Sequence, residues 1–156
     1  MAWSASAIFR QFVADTLAGT SVFDLDAPSD TYKVALYGTT PTPDKDVAAN
    51  ASAYNSGQWV TGNEISASGW AAGGIAATSM TVTVPSTGVI MFDLADTVST
   101  TTTLAGVFGT LLYNDTKTTP VADQGVCFNY LGGTNSVTAG IFTVVWNANG
   151  AFRITV

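Results

Sequence analysis

Glu64 is the only glutamate in this chain, alongside ten aspartates. Two carboxylates drawn from that set could in principle hydrolyse a glycosidic bond, one as acid and the other as base or nucleophile. Nothing in the spacing selects a partner for Glu64, and an acid pair can be drawn from almost any protein. Histidine is absent altogether. That removes Ser-His-Asp and Cys-His nucleophile systems, His-ligated metals and the commonest general base. The single cysteine, Cys127, stands between Val126 and Phe128 in an alternating apolar run. This is the setting of a buried, inert thiol rather than a nucleophile. One cysteine cannot close an internal disulfide, so stability must come from packing.

Asp24, Asp26 and Asp30 cluster ahead of the first strand, and Asp44 and Asp46 flank Lys45. Clustered oxygens can hold Ca²⁺, but neither spacing matches an EF-hand loop, and Lys45 opposes a cation. Turn-forming aspartate is the simpler expectation. Gly73-Gly74 and Gly132-Gly133 lack the lysine and the following helix of a phosphate loop, so they read as turns or points of close approach. Trp59, Trp70, Tyr54 and Tyr130 could form an aromatic platform for sugars, although aromatic rings more often fill cores and interfaces. The expectation is a non-enzymatic chain with no catalytic set, no cofactor and no metal.

The balance of charge narrows the partners. Net charge is −6, and Arg10, Lys33, Lys45, Lys117 and Arg153 are scattered along the sequence. Neutralising phosphates requires clustered cations, so no nucleic-acid partner is expected. No run of 18 apolar residues is present, so no membrane-spanning helix is expected. Met1-Ala2-Trp3-Ser4 leads directly into an amphipathic pattern, which suggests a protein made in the cytoplasm without a leader. Apolar residues make up 47% of the 156 and charged residues only 10%, against a usual charged share of about 25%. Neutral polar surface can be covered by a neighbour without desolvating charge, which favours a life in an assembly.

The elements follow from periodicity. Residues 4–18 place Ile8, Phe9, Phe12, Val13 and Leu17 at helical spacing. Ser4 could cap that helix, Trp3 and Ile8 could staple it, and Gly19 could end it. Beyond residue 30 the period becomes 2, in Tyr32-Val34-Leu36, Met80-Val82-Val84, Ile90-Phe92-Leu94, Val107–Tyr113, Val126-Phe128-Tyr130, residues 141–146 and Phe152-Ile154-Val156. Asn149-Gly150 separates the last two runs and signals a hairpin. The Thr-rich run Ser99–Thr103 reads as a loop or a strand edge. The predicted fold is one domain over 1–156: mainly β, an antiparallel β-sandwich of about seven strands over 31–156 with one N-terminal amphipathic α-helix over 4–18. A closed barrel is the alternative.

Residues 38–72 interrupt this rhythm with a long stretch of little period. Pro41 and Pro43 stiffen its start, and Trp59 and Trp70 give it something to bury. Long loops in compact domains are commonly functional, and here an ordered arm is expected, lying on the domain or reaching a neighbour. Candidate assembly contacts are Phe9, Phe12, Pro41, Pro43, Trp59 and Trp70.

Three stretches resemble a family of small virion proteins of tailed bacteriophages. Asp30-Thr31-Tyr32-Lys33-Val34-Ala35-Leu36 with the later Pro43-Asp44-Lys45-Asp46 is similar to that family's Asp-Thr-x-Lys-Val-x-Leu strand and Pro-Asp-x-Asp. Asn63-Glu64-Ile65 through Gly69-Trp70-Ala71-Ala72-Gly73-Gly74 resembles an Asn-Glu-Val-x-Gly-x-Gly-Tyr-x-x-Gly-Gly pattern, with Ala67 for a Gly and Trp70 for the Tyr. Phe142–Asn147 with Gly150–Ile154 resembles a closing Trp-Asp/Asn hairpin. The resemblance implies a structural protein of the virion: a capsid decoration (cement) protein on the capsid surface, binding the major capsid protein lattice and its own copies, made in the host cytoplasm. The alternatives are a tail or fibre component, or a carbohydrate-binding module. The shared positions are turns and strands, so the resemblance transfers no functional residue.

Overall fold

The computed structural model describes residues 3–20, 22–26 and 29–156. In chain order the elements are β1 (Ala7–Ile8), α1 (Arg10–Leu17), β2 (Tyr32–Tyr37), α2 (Ala49–Ser52), a single 3-10 turn (Thr61–Asn63), β3 (Ile75–Ala76), β4 (Thr81–Ser86), β5 (Val89–Asp93), β6 (Thr97–Asn114), β7 (Gly125–Val144) and β8 (Phe152–Thr155). They form two antiparallel sheets packed together, one in the order β1-β7-β6-β2-β3 and the other β4-β5-β8. The sandwich is therefore as expected, and the barrel alternative falls because the strands divide between two open sheets. No helix among the described residues is long and apolar enough to cross a membrane.

The predicted N-terminal helix is shorter than its apolar spacing suggested. Ala7 and Ile8 pair with Phe128 and Cys127 at the edge of β7, and the Phe9 N–H bonds to the Val126 carbonyl at 2.9 Å. The Ser6 hydroxyl accepts from the Tyr130 N–H at 3.0 Å. Residues 6–9 thus satisfy the sheet instead of a first helical turn, and the helix begins at Arg10 with extended Phe9 as its N-cap, not Ser4. Trp3 is no staple either. Its indole N–H reaches the Gly38 carbonyl at 2.9 Å and its ring lies in the core. The C-terminus does end at Gly19: the Gly19 N–H bonds to the Thr16 carbonyl and the Thr20 N–H to that of Asp15, the paired bonds of a Schellman cap. The buried Asp15 carboxylate ties the helix down, accepting from Gln11 on its own turn and from Gln124 beside β7, both at 2.9 Å.

β6 and β7 form a long hairpin whose register shifts five times, as bulges accommodate the twist of strands 18 and 20 residues long. Near its turn, β6 is flanked by β2 across Tyr32–Tyr37, so this end is central in its sheet and apolar on both faces. Farther out, residues 97–106 have β7 as their only strand partner among the described residues. The Thr-rich run Ser99–Thr103 lies there, within a strand that is an edge on one side. The expected hairpin at Asn149-Gly150 is a turn without a hairpin. Gly150 bonds back to Asn147 at 2.7 Å, yet β8 joins β5 in the other sheet rather than β7. Gly150 allows this because its backbone passes against the Phe92 carbonyl with φ at +82°, where a side chain would collide.

Candidate functional site

The arm over 38–72 lies on the domain and is anchored by two indoles. Trp59 packs on the larger sheet over Tyr37 of β2 and Phe128 of β7, with its ring edge-on to Trp3, Phe9 and Tyr37 at 5.7, 6.2 and 5.0 Å, and with Phe128 at 6.2 Å. The Tyr37 hydroxyl donates to the Trp59 carbonyl at 2.5 Å. Trp70 packs separately, edge-on to Phe142 on β7 at 5.7 Å, with its N–H on the Val34 carbonyl at 3.1 Å. Each such ring removes about 150–250 Å² from water, on the order of 4–6 kcal/mol at ~25 cal/mol/Å² before ordering entropy.

Between the two indoles, Glu64 fastens the arm to itself and to the sheet. One carboxylate oxygen accepts from the Tyr54 hydroxyl and the other from the Gly73 N–H, both at 2.9 Å. The Tyr113 hydroxyl, from β6, donates to the Gly73 carbonyl at 2.7 Å. Partial burial pushes the Glu64 carboxyl above its usual range against the pull of these two hydrogen bonds. Burial likewise raises Tyr54 and Tyr113 far above neutral pH, so both hydroxyls remain protonated. Gly74 completes the fastening. With φ at +81° its backbone lies against the Val34 carbonyl, leaving no room for a side chain. Both oxygens of Glu64 therefore take part in holding the loop.

Asp30 and Asp44 are held by hydrogen bonds in the same way. Asp30 is buried and accepts from the Lys117 amine at 3.0 Å, the Asn114 amide at 2.9 Å and the Asp24 N–H at 3.2 Å. Burial pushes its carboxyl up, but hydrogen bonds from Lys117, Asn114 and Asp24 together with the Lys117 charge outweigh burial and leave it below the ordinary range. Asp44 accepts from the Asp46 N–H at 2.9 Å, the local turn bond expected of it. Cys127 is buried, and burial raises its thiol to about 12.

The predicted contact residues are not gathered on one surface. Phe9 and Trp59 share one aromatic cluster, Phe12 packs at a tilt against Phe23 at 4.8 Å, and Trp70 sits apart on Phe142. All four rings are fully buried, Pro41 is buried too, and Pro43 is half-buried beside Ser4–Ala7. Within the single chain these four rings belong to its own core. The helical stripe singled out Phe9 and Phe12, and the aperiodic arm Trp59 and Trp70, because burial inside a domain and burial at an interface leave the same pattern in a sequence. The sugar platform is not assembled either. Trp59 and Trp70 are buried apart, Tyr54 stacks on Tyr113, and Tyr130 lies against Phe108 at 5.2 Å.

What the fold leaves outside is aliphatic. On the outer face of the β6–β7 ribbon, Ile141 is 67% and Val145 71% exposed, flanked by Val98. Around the smaller sheet, Val84 is 72% and Leu17 of α1 83% exposed. Strand alternation marks Ile141 and Val145 as facing opposite to Phe142 and Val144, a signal that was present in the sequence but gave no hint which face was covered. No protein-family model matches this chain, and no curated protein or solved structure is similar to it.

Proposed function

We propose that this chain is a non-enzymatic structural protein of a tailed-bacteriophage virion, a capsid decoration (cement) protein that seats on the major capsid protein lattice beside copies of itself. The observation that carries the reading is where apolar side chains remain exposed. Ile141, Val145 and Val98 form one aliphatic face on a ribbon whose two strands contain no charged residue, and Val84 of β4 and Leu17 of α1 are exposed separately elsewhere. Such faces are covered at little desolvation cost, as expected of a protein that works within an assembly. The titratable groups that might have done chemistry are instead tied into the fold, Glu64 in its loop and Asp30 beside Lys117. The virion setting is supported by the resemblance in Asp30–Leu36, Asn63–Gly74 and Phe142–Ile154. Of the rings that a carbohydrate-binding module would display, Trp59 and Trp70 are buried, and the half-buried Tyr54 and Tyr130 are paired with Tyr113 and Phe108 rather than with each other.

A cement protein binds assembled shells far better than free capsid subunits, because its site spans neighbouring subunits and it stabilises the state that it binds. Several small patches engaged at once on one lattice gain through effective concentration. The test is to strip the protein from particles, add it back, and follow heat-induced rupture of the shell. Restored protein is expected to raise the rupture temperature. Unchanged rupture, with labelled protein found only on tails, would replace the decoration reading with the tail alternative.

A further inference from the structure

β1 is the outermost strand of the larger sheet, and β8 is the outermost strand of the smaller one. The two border a common groove, with Ser6, Ala7 and Ile8 on one wall and Ala151, Phe152 and Arg153 on the other. The groove continues beneath α1 as an open hollow of about 480 Å³, whose apolar wall is Ile8, Val13, Leu17 and Ile154. Arg10, Lys45 and Arg153 stand around this hollow, three of the five cations in a chain of net charge −6. The only carboxylate lining it is Asp46, which meets Lys45 at 2.8 Å and Arg10 at 3.5 Å through largely exposed side chains. Exposed pairs of this kind hold their partners weakly. Arg153 donates to the Asn149 carbonyl at 2.9 Å and touches the Met91 sulfur, with no carboxylate partner among the described residues.

We propose that this groove binds an extended, acidic and apolar peptide segment of a partner protein. The segment would lie along the open edge of β8, adding backbone hydrogen bonds there, while its alternate side chains meet the apolar wall and its carboxylates meet Arg153, Arg10 and Lys45. Charge complementarity selects this occupant. A nucleic acid would bring phosphates to three cations and leave Ile8, Val13, Leu17 and Ile154 unmatched. A second copy of this chain offers its exposed apolar strands β4, β6 and β7, none of which contains a carboxylate. The proposal stands whether or not the partner belongs to a virion.

The test is a titration of the intact protein with the blocked heptapeptide Val-Asp-Val-Asp-Val-Asp-Val, followed by amide NMR, beside the analogue carrying Lys for Asp. Saturable shifts are expected at Ala7, Ile8, Arg153 and Thr155 with the acidic peptide and none with the basic one. Arg153→Glu should weaken binding by about tenfold or more while leaving the rest of the spectrum in place. If that variant does not fold, Lys45→Glu tests the same rim from an exposed loop position. Shifts with neither peptide, equal shifts with both, or shifts elsewhere overturn the proposal. Concentration-dependent shifts of the same amides without peptide would identify the occupant as a second copy and overturn it as well.

Discussion

Tyr54 lies flat against Tyr113, with ring centroids 4.7 Å apart and planes within 9° of parallel. The first ring belongs to the arm and the second to β6, so this stack is where the irregular part of the chain is joined to the regular part. Both hydroxyls act on the same short segment, Tyr54 through Glu64 and Tyr113 directly on Gly73. The arm is thus tied to the sheet by side-chain contacts although it contains little regular structure.

Glu64 should therefore make stability depend on pH in a defined direction. Its folded carboxyl is raised above the ordinary 4.5, so the folded state holds this proton more tightly than the unfolded chain does. The resulting stabilisation is full below the unfolded value and is lost as pH rises through the folded one. Glu64→Gln is expected to remove that slope. Because Glu64 is the only glutamate, its carboxyl carbon can be followed directly by NMR. A midpoint at or below 4.5 would contradict the effect of burial.

Lys117→Met should destabilise the fold at neutral pH by about 2–3 kcal/mol, because it leaves the buried Asp30 carboxylate without its cation. The Asp30 value is lowered in the folded state, so its contribution is present above the unfolded value and lost as pH falls through the folded one. The penalty of the substitution should accordingly shrink in acid. Denaturant titrations at neutral and acidic pH measure it, and a penalty that grows in acid would refute the assignment.

Phe12 is fully buried against Phe23 and joins α1 to the core. Phe12→Ala is expected to cost about 3–5 kcal/mol. Chemical denaturation of the isolated protein reads this directly, and an unchanged midpoint would mean that the helix contributes little to the domain.

Cys127 should react with alkylating reagents only after unfolding, since its thiol is buried and raised to about 12. Cys127→Ala should fold normally and retain assembly. Rapid labelling of the native protein, or loss of assembly in a folded Cys127→Ala, would show that this residue has another role.

The strands were legible because alternation is local: Tyr32-Val34-Leu36 and Ile90-Phe92-Leu94 each announce a face within six residues. The start of the helix was not legible. The spacing of Ile8, Phe9 and Phe12 suits a helical stripe, and only Val126, Cys127 and Phe128, more than a hundred residues away, draw residues 7–9 into a sheet. Asn149-Gly150 reported its turn correctly, but whether a turn makes a hairpin depends on which sheet offers the next strand an edge.

By itself the sequence determined that this is a β-rich chain without histidine chemistry, short of charge and without an internal disulfide, because composition and period are properties of neighbouring residues. The tertiary structure decided which apolar faces are covered and which groups meet. It turned Phe9, Phe12, Trp59 and Trp70 inward, left Ile141 and Val145 outward, committed both oxygens of Glu64, and brought Arg10, Lys45 and Arg153 around one groove. Those relationships join positions far apart in the chain, and what a side chain faces is fixed by the packing of distant segments, which no local pattern records.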